Sequence, residues 1–351
     1  MPEPLKCPYY RLNSTSKGGG NFNTIPEGKN YGDYLYWDGA QWMVGANSVH
    51  LGANAGRPIQ GKYAIAVGQE AGTNGQQEYA IAIGYKAGAE LQNPNAISIG
   101  QEAGYNGQGS QAIAIGYQAG YTVQGNNAVA IGTQAGSIHQ GANSIALGKY
   151  CGNDTQGQNA VAIGQNAGVF WQRDNAIAIG QNVGIVDQGY NSIAIGQNAG
   201  QTGQNPESII LNVGNTGIEA STYGLFINPI RGPFATANVL SYNLTTKEIV
   251  YNGSSQRYKY DIEPLCENTE NLYKLEPKQF RYNENGEMDI GLIAEEANEC
   301  DHWFSYRDPD GNPEGILWNS ITTYMIAEMK KMKDEITRFE REIQEIKESI
   351  I

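Results

Sequence analysis

Apolar residues along this chain follow two regular rhythms with irregular sequence between and before them. From residue 46 to residue 212 they come as short alternating pentads, such as Ala80-Ile81-Ala82-Ile83-Gly84, recurring every 16 residues. Alternation over so short a run predicts a β-strand with one residue type on each face. Gly52, Gly68, Gly84, Gly100, Gly116, Gly132, Gly148, Gly164, Gly180 and Gly196 mark ten copies without an insertion. A second glycine follows four residues later in each, from Gly56 to Gly200, and a Gln column runs in step from Gln60 to Gln204. An unbroken period of this kind is the mark of a solenoid, whose coils are stable only when stacked. At about 4.8 Å per coil, ten coils make a rod of roughly 50 Å.

A strand apolar on both faces needs both faces covered. The expectation is that Ile fills the inside of the coil. Ala and Ser then meet the rest of the coil or a neighbouring chain. The Gln column and the Asn residues before the pentads (Asn95, Asn127, Asn143, Asn159, Asn175, Asn191) are placed to stack as amide ladders. The register persists once more at Ser208-Ile209-Ile210-Leu211-Asn212, with Asn212 in the glycine slot, and is expected to stop there.

The second rhythm is a heptad. Met325, Met329, Met332, Ile336, Phe339, Ile343, Ile346 and Ile350 step by 4-3-4-3-4-3-4, which predicts a coiled-coil helix over about 321–351. Positions a are Met329, Ile336, Ile343 and Ile350; positions d include Met332, Phe339 and Ile346. Ile at both favours three or four strands over two. Before the repeat, residues 1–45 hold an aromatic hairpin signal, Tyr34-Leu35-Tyr36-Trp37 and Trp42 about Asp38-Gly39. Residues 213–253 read as a β-rich neck of short strands and polar turns.

Composition narrows the function classes. With 45 Gly among 351 residues and 17% charged residues, the chain suits a Gly-punctuated rod better than a compact enzyme. The net charge of −13 is uneven: residues 254–351 carry 12 Lys and Arg against 22 Asp and Glu, a balance of −10. No basic footprint for nucleic acid is present. Cys7, Cys151, Cys266 and Cys300 form no CxxC pair and read as free thiols, with Cys151 a small core filler in a slot that is mostly Ala. Met1–Tyr10 lacks an apolar signal segment, and no run approaches a membrane span. Asp308, Asp310, Asn312 and Glu314 lack the spacing of a calcium loop and read as a turn. No cofactor or metal is expected.

The repeat over about residues 46–212 resembles the head of trimeric autotransporter adhesins, a parallel β-roll with strands of the type Asn-Ala-Ile-Ala-Ile-Gly. The period of 16 is somewhat longer than that family's usual unit. The resemblance implies a trimeric parallel β-roll. It carries over no secretion route, since neither a signal peptide nor a membrane barrel is read here.

The stretch Gly253-Ser254-Ser255-Gln256-Arg257-Tyr258-Lys259 lies between the rod-like part and the acidic tail. Serine needs a base, and lysine serves when it is neutral. In an extended strand, residues 254 and 259 fall on opposite faces; in an α-helix Lys259 faces Ser255. Alone the pair is weak. Its surroundings are more specific: Ser254 to Ile262, Leu275-Glu276-Pro277-Lys278-Gln279-Phe280-Arg281-Tyr282, Ile290-Gly291-Leu292-Ile293-Ala294-Glu295-Glu296 and Asp310-Gly311-Asn312-Pro313-Glu314-Gly315-Ile316, then a coiled coil. In this order they resemble the endosialidase-type intramolecular chaperone family over about residues 249–351. That resemblance implies an α+β domain that trimerises a β-rich fibre and then cuts itself off between Gly253 and Ser254. It also implies Ser254 as nucleophile and Lys259 as base. Ser255 is the alternative nucleophile, and Tyr258, Tyr260 and Ile262 are expected to provide dry surroundings for Lys259.

The expected protein is a homotrimeric viral fibre, spike or attachment protein on the virion surface, made in the host cytoplasm. Its expected partners are virion or capsid components and a host glycan or receptor, with no membrane insertion. A non-cleaving fibre or adhesin and a tailspike-like glycan binder are the alternatives.

Overall fold

The computed structural model describes residues 26–350 apart from 46, 215, 231–239, 244–245, 252–253, 266, 284 and 309. Cys7, Cys266, Gly253 and the start of the 1–45 segment lie outside them. The chain divides between residues 232 and 233 into two compact units.

The first unit is a parallel β-solenoid. Its main sheet has twelve strands, from Val49–Leu51 to Gly224–Asn228, each hydrogen-bonded to the next coil. The register advances by one 16-residue coil at each step: Val49 faces Ile65, Ala130 faces Ala146, and Ile193 faces Ile209. A second parallel sheet of six three-residue strands, from Glu90–Gln92 to Phe170–Gln172, forms the other wall. The roll continues one coil past the expected stop. Gly224–Asn228 pairs with Ser208–Asn212, and Asn228 donates its side-chain N–H to Asn212 Oδ1 at 3.0 Å.

The expected inside and outside are exchanged. Ala66, Ala82, Ala114, Ala130, Ala146, Ala162, Ala178 and Ala194 point inward and are fully buried. The flanking Ile and Val residues point outward, and Ile83 and Leu147 remain 37% and 42% exposed. The reason is the second inward column. Each Gln amide lies inside and needs the interior width. Gln124 donates Nε2–H to Ile113 O at 2.8 Å and to Gln140 Oε1 at 3.0 Å, and the pattern repeats up the roll. Beside the buried amide row the inward slot is filled mostly by Ala, with Ser98 hydrogen-bonded into the row and Ile210 at the end of it. The ladder begins at Gln60, whose Oε1 is the one buried side-chain polar atom without a partner among the described residues.

The coils are spaced by backbone contact. A Cβ on Gly132 would lie 2.4 Å from the carbonyl oxygen of Gly148, and the Gly132 φ is +130°. Outside, Asn127, Asn143, Asn159, Asn175 and Asn191 form a second amide ladder with steps of 3.1–3.3 Å. Cys151 is fully buried with Sγ against Ala162 O, and burial pushes its thiol up to about 12. The hairpin forms as read, with β1 (Tyr34–Trp37) antiparallel to β2 (Trp42–Gly45).

The second unit has a small core. Ala297 of α1 (Ala294–Cys300) packs with Phe304, Ile321 and Tyr324, the last two from the start of α2 (Trp318–Ile350). A buried polar network fastens a 3-10 turn, Thr269–Lys274, to that helix. Asn271 and Tyr324 both donate to Asp301 Oδ2, at 3.1 and 3.0 Å. Thr269 meets the carboxylate of Glu328, which Lys331 also holds at 2.8 Å. Short antiparallel pairs, including Lys278–Arg281 with Met288–Gly291, complete the unit.

Candidate functional site

Ser254 and Lys259 come together through a backbone form that is neither strand nor α-helix. A single 3-10 turn, Gln256–Tyr258, separates two extended residues, Ser255 and Lys259. Tyr258 N–H donates to Ser255 O and Lys259 N–H to Gln256 O, both at 3.0 Å. Across this turn Lys259 Nζ donates to Ser254 Oγ at 2.8 Å. Ser255 stands at the N-cap without a side-chain capping bond. Gly253, the residue before, lies outside the described residues.

The pair opens onto a cleft of about 980 Å³. Asp261, Glu263, Glu267, Trp303 and the first turns of α2, with Asn319 and Thr323, line it. The expected dry surroundings are not provided within one chain. Tyr258, Tyr260 and Ile262 are all more than half exposed, and Ser254 and Lys259 are exposed with them. Tyr258 instead stacks under the Arg257 guanidinium at 4.7 Å. Asn319 and Thr323 carry no motif of their own and precede the first heptad position, Met325, so the sequence does not mark them.

Helix α2 has two distinct faces. Ile321, Tyr324 and Glu328 turn into the unit and are buried. Met329, Met332, Ile336, Phe339, Ile343 and Ile346 form the heptad stripe, and every one is about half exposed or more. The side chain of Ile350 lies outside the described residues.

These features define a class: a β-roll rod followed by a helical segment with an unpartnered coiled-coil stripe and a Ser–Lys pair at its start. Two family models match accordingly. Residues 254–302 match the model described as chaperone of endosialidase. Residues 60–87, 76–103, 108–135, 124–150, 156–182 and 188–199 match the YadA head domain repeat. The chain therefore carries repeats similar to the YadA head followed by a segment similar to the chaperone of endosialidase, a combination that suits a fibre- or adhesin-like protein. No curated protein and no solved structure matches it.

Proposed function

We propose that the chain is the subunit of a homotrimeric fibre or spike, of the viral attachment kind. Residues 254–351 align three copies and then release themselves by cleavage between Gly253 and Ser254. The observation that carries this reading is the 2.8 Å contact between Lys259 Nζ and Ser254 Oγ, at the first residue of the chaperone match.

Association is supported by two unpartnered apolar surfaces. One is the outward Ile and Val face of the twelve-stranded sheet; the other is the heptad stripe of α2. A second and third copy of the same chain have the length, period and heptad spacing to cover both. Parallel strands with an invariant period are prone to slip by whole coils, and a coiled coil fixes the register of the chains before the rods wind.

Cleavage follows ordinary acyl-transfer chemistry. Neutral Lys259 accepts the Ser254 Oγ proton as Oγ attacks the Gly253 carbonyl carbon. The tetrahedral centre collapses, the C–N bond breaks, and the proton goes to the departing Ser254 amine. An ester then joins Gly253 to Ser254 Oγ until water hydrolyses it, leaving a carboxylate on Gly253. A lysine in water titrates near 10.4, so only about one in a few thousand is neutral at pH 7. Both site residues are exposed in the single chain, so burial against a neighbouring copy supplies the dry surroundings. Cleavage is thereby tied to assembly, and loss of the aligned tail traps the wound rod kinetically.

Ser254→Ala should leave one full-length band on a denaturing gel, and Lys259→Ala should do the same. Release of a 98-residue fragment (254–351) from Ser254→Ala excludes Ser254 and points to Ser255.

A further inference from the structure

The N-terminal end of the roll holds a cleft of about 840 Å³ between the hairpin and the first coil. The hairpin is fastened there by side chains. Tyr34 donates its hydroxyl to Ser48 O at 2.7 Å and accepts from His50 N–H at 2.8 Å. Tyr36 stacks on the His50 ring at 4.8 Å, with planes 27° apart. Trp37 and Trp42, opposite each other in the hairpin register, meet edge-on at 5.7 Å and remain 52% and 44% exposed. Asp38 Oδ1 accepts from Ala40 and Gln41 N–H at 2.7 Å each, which fixes the carboxylate at the turn. The Arg57 guanidinium reaches the same turn: a methyl placed on Gly39 would lie 3.7 Å from its Nη1.

One wall thus carries two half-exposed indoles set edge to face. It is edged by one fixed acceptor and one planar donor group of opposite charge. An alkyl ligand would strip water from Asp38 and Arg57 without replacing their hydrogen bonds. A phosphate-bearing ligand would meet the Asp38 carboxylate beside a single guanidinium. A sugar ring satisfies both demands, with an apolar C–H face for the indoles and hydroxyls that give and accept hydrogen bonds. We infer that this cleft binds a neutral oligosaccharide. The site uses residues between Leu35 and Pro58 alone, so it stands whether or not the tail is cleaved.

The test is binding of the purified full chain to immobilised neutral tetrasaccharides of glucose, mannose, galactose and N-acetylglucosamine, with a sialylated tetrasaccharide as the charged comparator. Affinity for any bound sugar is then measured by calorimetry for wild type, Trp42→Ala and Arg57→Gln. Binding to a neutral sugar that each substitution weakens by about tenfold or more supports the site. Should Trp42→Ala unzip the hairpin, Arg57→Gln carries the test, since that side chain lies outside it; its thermal unfolding should match wild type. No binding to any neutral sugar, binding only to the sialylated one, or equal affinity in wild type and Arg57→Gln overturns the inference.

Discussion

Replacing Gln124 by Glu exchanges one nitrogen for oxygen in the middle of the roll, where the side chain is 2% exposed. Gln124 gives its amide hydrogens to Ile113 O at 2.8 Å and Gln140 Oε1 at 3.0 Å, and accepts from Gln108 Nε2 at 3.2 Å. An ionised Glu keeps the acceptor and loses both donors. Gln140 Oε1 is then left unmet, at about 1–3 kcal/mol before the charge is counted, while Ile113 O keeps its sheet partner. The buried charge adds to this, and the side chain responds by holding a proton, with a folded-state pKa above the unfolded value near 4.3. The sign follows: the unfolded state binds fewer protons, so stability rises as pH falls through the raised pKa and levels off below the unfolded one. Thermal melts at about pH 8 and about pH 5 should show a deficit for Gln124→Glu that shrinks on acidification. Gln124→Leu, which removes the same donors without a titrating group, should show a deficit of constant size. A Gln124→Glu variant within about 1 kcal/mol of wild type at pH 8, or a deficit indifferent to pH, would refute the buried ladder as a stabilising element.

Three further outcomes are expected. Gly132→Ala drives a Cβ to 2.4 Å from backbone at φ +130°, whereas Gly203 has φ +60° and nothing within 4 Å. Gly132→Ala should therefore cost well over the about 1–2 kcal/mol expected of Gly203→Ala, and equal melting shifts would contradict the backbone spacing. Cys151, buried and with its thiol raised to about 12, should escape iodoacetamide in the native protein while the partly exposed Cys300 reacts; peptide mass mapping reads both. Ile336→Asp with Ile343→Asp places charge in the heptad stripe, so native mass should drop from three chains to one. A trimer surviving that double change would remove α2 from the assembly.

The period, the hairpin and the heptad were legible because each is a spacing, and spacing survives without coordinates. The direction of the strand faces was not. Alternation says that Ala82 and Ile83 point opposite ways but not which is inside; the buried Gln row, which shares the interior with the Ala column, decides it. The second sheet was hidden because its middle residues, such as Leu91, Val123 and Trp171, sit at φ near +55° and read as loop. The last coil was missed because Asn228, like Asn212, replaces the marker glycine. At the site, residues 254 and 259 suit neither regular period, and a 3-10 turn between extended ends brings them together. Their exposure belongs to a single chain, and sequence offered no sign of it.

Intact-mass spectrometry of the freshly purified, denatured protein addresses self-release most directly. Self-release yields a 98-residue species beginning at Ser254, together with the complementary piece ending at Gly253, and neither from Ser254→Ala. A single species of 351 residues from wild-type protein that native mass shows to be trimeric would contradict it.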